Sequence, residues 1–205
     1  MQSTEELRLA ARRSPQPATS NKSDEALIKS IVRGSRPALE LLFVRHRLRI
    51  YRFVVRLTGN ATLAEDVVSE VFLEVWRKAD GFHAKSQVST WLFAIARNKA
   101  LHALRSRSME CLDDSRAGNI ADTSEDPEAA LNQKNRSAML RKCLGQLPPA
   151  QREIVDLVYY HGKSVTEVAR IIGIPAGTVK SRMFYARSQI SGLLAQAGVI
   201  RIQEC

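Results

Sequence analysis

Residues 164–187 read SVTEVARIIGIPAGTVKSRMFYAR, and this stretch decides the fold of the C-terminal part of the chain. Ser164 and Glu167 have the spacing of a capping box, in which each side chain satisfies a backbone N–H at the start of a helix. Apolar residues then recur at helical spacing up to Gly173, which ends the helix, and Pro175 suits the first turn of the next one. This order predicts a helix-turn-helix, a motif whose second helix lies in a DNA major groove.

The two helices of this motif are each expected to bury one face. Val165, Val168, Ala169 and Ile172 share one side of the first helix, and Val179, Met183, Ala186 and Ile190 share one side of the second. The polar or aromatic residues that point away from the second stripe are Lys180, Ser181, Phe184 and Arg187.

Charge and cysteine usage narrow the class of protein. The 205-residue chain carries a formal net charge of +10, which favours a polyanionic partner. Its four His and three Cys show no metal-ligand or disulfide spacing, so no metal, cofactor or catalytic residue is predicted. We find neither an apolar run of about 20 residues nor a secretory leader, and we expect a cytoplasmic protein without direct membrane insertion. The cysteines are Cys111, Cys143 and Cys205.

Helical periodicity dominates the chain, and no strand-like alternation is present. The predicted fold class is all-α, with two small helical domains joined by an acidic flexible linker and the helix-turn-helix in the C-terminal domain. The linker is predicted because its carboxylates and sparse apolar content cannot support a folded core. The predicted boundaries are an N-terminal arm at 1–22, a first domain at 23–108, the linker at 109–130, a C-terminal domain at 131–197 and a tail at 198–205.

The first domain opens with a long amphipathic helix. Its expected buried face consists of Leu41, Val44, Leu48, Tyr51 and Val55. A separate basic stripe consists of Arg45, Arg49, Arg52 and Arg56, and it is either a functional surface or an ordinary solvated face.

A second stretch, ATLAEDVVSEVFLEVWRKADGF, follows Asn60, which is a plausible N-cap. Asp66, Glu70 and Glu74 form an acidic ridge at helical spacing. Since an acidic ridge repels DNA, it indicates a protein partner on this basic chain, with a solvated face as the alternative.

A third stretch, STWLFAIARNKALHALRSR, is expected to be capped by Ser89. Trp91, Asn98, His102 and Arg105 share one side, with Lys99 nearby. An aromatic ring among amide and basic groups suits unpaired bases and phosphates, although a Trp at this spacing more often belongs to a core. The loop Gly81–Ser89 before this helix has small and polar groups that a base pocket could use.

Together these stretches resemble a bacterial RNA polymerase sigma factor of the extracytoplasmic-function (ECF) group, over roughly Asp24 to Leu194. AEDVVSEVFLEVWRK resembles the family's polymerase-binding helix, and STWLFAIARNKALHALR resembles its promoter-melting and −10-reading helix. LPPAQREIVDLVYYHGKSVTEVARIIGIPAGTVKSRMFYAR resembles its −35-reading domain. Ser69 departs from the family pattern, which commonly has Gln there.

The resemblance implies a role for each candidate residue. The residues facing the polymerase clamp helices would be Asp66, Glu70 and Glu74. The −10 contacts would be Trp91, Asn98, Lys99, His102 and Arg105, with a flipped base in the loop Gly81–Ser89. The −35 contacts would be Lys180, Ser181, Phe184 and Tyr185, with Arg182 and Arg187 on phosphates.

The implied function is promoter-specific transcription initiation without enzymatic activity. The implied partners are core RNA polymerase, through its clamp helices and flap, promoter DNA, and an anti-sigma factor; the free chain would be a monomer. The alternatives are a stand-alone helix-turn-helix regulator and a sigma-like decoy for an anti-sigma factor. A nuclease would need a carboxylate or His cluster that the sequence lacks.

Overall fold

The computed structural model describes residues 22–110 and 142–196. Every regular element in these two ranges is helical, which confirms the predicted all-α class. The predicted arm, linker and tail fall almost entirely outside the described residues, as does most of the helix expected before the Pro148-Pro149 break, and their boundaries stay predictions.

Polar caps set where the helices of the N-terminal bundle begin. The side chains of Ser23, Ser35 and Asn60 each accept a backbone N–H from the first turn of the helix that follows, and the Asn60 cap confirms its prediction. The bundle consists of α1 (Asp24–Val32), α2 (Arg36–Thr58), α3 (Ala61–Lys78) and α4 (Val88–Glu110), with a 3₁₀ turn at Ala79–Gly81.

The predicted buried face of α2 is wrong at two positions. Val44 is 66% exposed and Leu48 is 53% exposed, whereas Val55 is buried as expected. The helix is rotated so that a different set packs inward, namely Ala38, Leu42, His46, Ile50, Phe53, Val54 and Val55.

The inward face of α2 includes a polar residue that hydrophobic periodicity does not mark. His46 is buried, and its Nε2 lies 2.6 Å from Asp24 Oδ2. Arg45 Nη1 donates to the other oxygen of Asp24 at 2.8 Å. One carboxylate at the start of α1 therefore satisfies two residues of α2, and a buried polar group needs such a partner.

Ser89 does not cap α4, contrary to the prediction. The helix begins one residue earlier, at Val88, and the Trp91 N–H bonds to the Gln87 carbonyl. The hydroxyl of Ser89 instead accepts a hydrogen bond from Lys163 of the C-terminal part. A partner so distant in sequence is invisible to local capping rules.

The C-terminal bundle follows the predicted helix-turn-helix closely. Ser164 and Glu167 form the capping box, with both reciprocal hydrogen bonds present. Gly173 ends the first helix of the motif in the left-handed conformation, with φ of 79°. The elements are α5 (Pro149–Val155), a π-helical turn (Asp156–Tyr160), α6 (Val165–Ile172) and α7 (Ala176–Gln196).

The predicted apolar stripes are buried to different degrees. Val179, Met183 and Ala186 of α7 are buried, and Ile190 is half-buried. On α6, Val168 is buried as predicted, and so is Ile171, which the predicted stripe did not include. The other three residues of that stripe are half-buried, namely Val165, Ala169 and Ile172. The second helix of the motif is thus held on the bundle by the stripe that the sequence predicted.

None of the helices in the two described ranges combines the length and apolar character that a bilayer crossing requires.

Candidate nucleic-acid interface

The outer face of α7 presents most of the side chains predicted to contact duplex DNA. Phe184 is 69% exposed and Tyr185 is 63% exposed, with their rings edge-to-face at 5.8 Å between centroids. Two adjacent aromatic rings exposed beside cations are typical of a binding surface. Lys180, Ser181 and Arg187 are also exposed, and Arg182 is half-buried.

Two of these residues already have internal partners. The Ser181 hydroxyl donates to the backbone carbonyls of Gly177 and Thr178, at 3.2 and 3.1 Å. The Nε of Arg187 donates to the Tyr159 hydroxyl at 3.0 Å. Arg187 is therefore oriented by the C-terminal bundle, while Lys180 extends from the exposed face.

The α4 residues predicted to read single-stranded DNA divide into two groups. Asn98, His102 and Arg105 lie on an exposed face. Trp91 is half-buried and packs on Phe82, with 5.3 Å between ring centroids. Trp91 is thus neither a full core residue nor an isolated platform, since part of its ring surface remains accessible.

Lys99 turns toward the acidic ridge of α3. Its Nζ lies 3.3 Å from a carboxylate oxygen of Glu70 and 3.3 Å from one of Glu74. Lys78 also bonds Glu74 at 2.7 Å, and this bond, with a smaller contribution from Lys99, holds the pKa of Glu74 below its ordinary value. Asp66 and Glu70 remain exposed.

The loop before α4 borders a cleft of about 220 Å³. Phe82 and Ala84 line one side of this cleft, and Ile28 and Val32 of α1 line another. Ala84 has a positive φ of 53°, an uncommon conformation for a residue with a Cβ. The loop predicted to hold a base therefore flanks a concave site.

Two ion pairs and a carbonyl contact join the two bundles. Arg97 of α4 donates to both oxygens of Glu153, at 2.6 and 3.3 Å. Arg56 of α2 donates to Asp156 at 2.8 Å. Arg49, two helical turns before Arg56, donates to the backbone carbonyl of His161 at 2.9 Å.

Lys163 and Glu167 make a largely enclosed polar cluster at this junction. The Lys163 ammonium lies 2.6 Å from Ser89 Oγ, 3.2 Å from Thr90 Oγ1 and 3.1 Å from Glu167 Oε1. Thr90 donates to the same Glu167 oxygen at 2.6 Å. Burial lowers the pKa of Lys163 despite its bond to Glu167.

Glu167 shows the opposite balance between burial and hydrogen bonding. Burial alone would raise its pKa, but the hydrogen bonds from Thr90, Ser164 and Lys163 outweigh that effect and lower the pKa of Glu167 to about 2. The charged form of Glu167 is therefore stabilised by groups from both bundles.

His161 fills an aromatic site on the N-terminal bundle. Its ring centroid lies 5.8 Å from that of Phe53 and 4.7 Å from that of Phe93. The ring is almost fully buried, and its Nε2 lies 3.2 Å from Asp156 Oδ2. Phe53 and Phe93 also contact each other, with 5.2 Å between ring centroids, so an aromatic residue of the C-terminal bundle packs against a ring pair formed by α2 and α4.

Sequence reasoning missed this junction. The basic stripe of α2 contained Arg49 and Arg56, but their partners lie 112 and 100 residues away in the sequence. Lys163 and His161 had no local pattern to mark them. The sequence did offer one signal for the junction. Glu153, Asp156 and His161 stand among the apolar residues of α5 and the turn that follows it, and such a mixture is unusual for a surface turn.

Models of two protein families match the chain, one on each bundle. Sigma-70 region 2 matches residues 42–109, and Sigma-70 region 4 matches residues 137–190. The chain is 30% identical over 180 residues to the RNA polymerase sigma-H factor of Pseudomonas aeruginosa, covering 83% of this chain and 93% of that protein.

The chain belongs to the sigma-70 family, in its ECF group.

A second sigma relative and a solved sigma structure agree with this assignment. The ECF RNA polymerase sigma factor SigL of Mycobacterium tuberculosis is 32% identical over 167 residues, covering 80% of this chain and 92% of that protein. The sigma factor RpoE of Bartonella quintana, solved in complex with the anti-sigma factor NepR, has a TM-score of 0.63 and 28% identity, covering 76% of this chain and 96% of that one. The alternatives of a stand-alone regulator and of a nuclease fit none of these relatives.

Proposed function

We propose that this sigma factor binds core RNA polymerase and directs promoter-specific initiation, with duplex −35 reading by α7 and −10 reading by α4. The observation that carries the proposal is the placement of an acidic ridge and a basic, aromatic helix face on different bundles of one family member. Such a division lets each bundle bind weakly and both together bind tightly, because the second contact forms at high effective concentration.

The polymerase contact is assigned to the ridge of α3. Asp66 and Glu70 are exposed, although one oxygen of Glu70 lies 3.3 Å from Lys99 Nζ, so the ridge is accessible to a cationic partner. Lys78 and, to a smaller extent, Lys99 lower the pKa of Glu74, which favours its charged form. The clamp helices of the polymerase are the proposed partner for the ridge, with the flap contacting the C-terminal bundle.

The −10 contact is assigned to α4 and the loop before it. Asn98, His102 and Arg105 offer donors on the exposed face, and the accessible part of Trp91 offers a stacking surface. The neighbouring cleft at Phe82 is the proposed site for an extruded base, which costs a few kcal/mol to unstack.

The −35 contact is assigned to α7. Lys180, Ser181, Phe184 and Tyr185 would approach base edges, while Arg182 and Arg187 would hold phosphates and so fix the register.

The proposed cellular setting follows from this assignment. Members of the family are not enzymes, and we assign no catalytic residue and no cofactor. We infer that the protein is a cytoplasmic monomer when free and that an anti-sigma factor controls it, as NepR pairs with the relative from Bartonella quintana.

A pair of substitutions separates the two assigned surfaces. Glu70→Lys reverses a charge on the ridge, and we expect loss of co-elution with core polymerase in size-exclusion chromatography. Lys180→Ala removes one duplex contact, and we expect normal co-elution but promoter binding weaker by about 1–3 kcal/mol.

Glu65→Lys is the matched control for Glu70→Lys, because Glu65 is exposed on α3 outside the ridge. Co-elution should survive in this control. If Glu70→Lys and Lys180→Ala lose the same activity, the division of surfaces is wrong.

A further inference from the structure

The C-terminal bundle packs on the N-terminal bundle beside α4. Lys163 contacts Ser89 at 2.6 Å, and Arg97 contacts Glu153 at 2.6 Å. Under the proposed function, on which this inference rests, the two bundles read separate promoter elements. We therefore expect this junction to open when the protein binds a promoter.

Opening would uncover three arginines of the N-terminal bundle. Arg49 and Arg56 are two turns apart on one side of α2, about 10 Å by helical rise. Arg97 joins them from α4. In the closed chain, each of the three donates to the segment from Glu153 to His161.

The groups that cover these arginines resemble phosphates in charge and shape. Arg97 makes a two-point contact with the Glu153 carboxylate, and a guanidinium fork fits a phosphate in the same way. Arg56 donates to a second carboxylate, that of Asp156. The side chains of Arg56 and Arg97 are 28% and 18% exposed, so the carboxylates shield them from other anions.

We propose that Arg49, Arg56 and Arg97 form a phosphate-binding surface for duplex DNA, and that Glu153 and Asp156 occupy this surface in the closed chain. The surface lies beside the −10-reading helix, since Arg97 directly precedes Asn98. In the open chain it would hold the backbone of the duplex next to that helix, and phosphate contacts of this kind position a protein without reading sequence.

Two substitutions break one ion pair from opposite sides and so test the proposal. Asp156→Asn removes the carboxylate and leaves Arg56 free to bind a phosphate. Arg56→Gln removes the arginine that would bind the phosphate. The probe is a fluorescent 30-base-pair duplex of arbitrary sequence, titrated with the full-length free chain over a range of KCl concentrations. We expect Asp156→Asn to bind about 3- to 10-fold more tightly, with a salt slope steeper by about 0.9 for one added phosphate contact.

The double variant Asp156→Asn/Arg56→Gln is decisive because its net charge equals that of the unaltered protein. Because the double variant also lacks the Arg56–Asp156 ion pair, its junction is weakened as in Asp156→Asn, but it offers one arginine fewer to the DNA. We therefore expect it to bind the duplex more weakly than Asp156→Asn, with a salt slope smaller by about 0.9. If its affinity and salt slope equal those of Asp156→Asn, Arg56 is a closing contact only and the proposal is overturned. Glu65→Gln and Arg33→Gln reproduce the two charge changes at exposed positions outside the junction, and an equal effect in these controls would also overturn it.

Glu153→Gln and Arg97→Gln provide an independent pair should Asp156→Asn fail to fold. The same opposite shifts in duplex affinity are expected. A different outcome is that the two variants of a pair bind the duplex equally well but differ in their affinity for core polymerase. The arginines would then bind an acidic protein surface, and the proposal would be wrong. Failure of promoter-specific transcription would overturn the proposed function without altering the binding of this duplex.

Discussion

At the residue scale, Glu167 has two roles. It completes the capping box of α6 with Ser164, and it accepts a hydrogen bond from Thr90 of the other bundle. Its pKa of about 2 lies below the ordinary 4.5, so the native state favours the charged form. The stabilisation is complete above pH 4.5 and is lost as the pH falls toward 2, because protonation removes the acceptor charge.

Thr90→Val should raise the pKa of Glu167, because it removes a hydrogen bond that stabilises the carboxylate. The pKa can be followed by NMR titration of the side-chain carboxyl carbon. Thr166→Val is the matched control, since Thr166 bonds Ser164 rather than Glu167. An unchanged pKa in Thr90→Val would mean that the bundles are apart in solution.

At the element scale, the turn of the helix-turn-helix depends on one backbone conformation. Gly173 has a φ of 79°, and no atom lies within 4 Å of the position that a Cβ would take. Gly173→Ala should therefore destabilise the motif by strain rather than by a clash, at about 1–2 kcal/mol.

Thermal unfolding of the full-length protein measures this effect. Gly192→Ala supplies the comparison, because Gly192 lies within α7 with free space at its Cβ position. Alanine there should stabilise the helix by about 0.5–1 kcal/mol. If Gly173→Ala and Gly192→Ala changed the melting temperature in the same direction and by the same amount, the role assigned to the turn would be contradicted.

The elements also show what the sequence can and cannot predict. The capping box, the Gly173 stop and the buried stripe of α7 were predictable because each depends on residues a few positions apart. The inward face of α2 was not, because a buried His46 requires Asp24 from another helix. Ser89 was misassigned for the same reason, since its partner Lys163 is distant in sequence.

The candidate site follows the same division. The exposed positions on α3, α4 and α7 could be predicted from helical spacing together with the family resemblance. The attachment of Lys99 to Glu70 and Glu74 could not, because it joins two surfaces that the sequence had assigned to different partners.

At the scale of the whole molecule, the two bundles are joined by ion pairs and by aromatic packing. Arginines of the N-terminal bundle face carboxylates of the C-terminal bundle, and His161 packs against the ring pair of Phe53 and Phe93. The exposed face of α7 lies outside this junction. The closed chain thus leaves the proposed duplex-reading face of α7 accessible.

Run-off transcription with reconstituted polymerase tests the central claim most directly. Templates would be DNA fragments recovered by profiling the sites that the protein occupies in cells. Core polymerase with this chain should give a transcript with one defined start on these templates, and core polymerase alone or with Glu70→Lys should not. Absence of any chain-dependent, promoter-specific transcript on all of them would contradict the account.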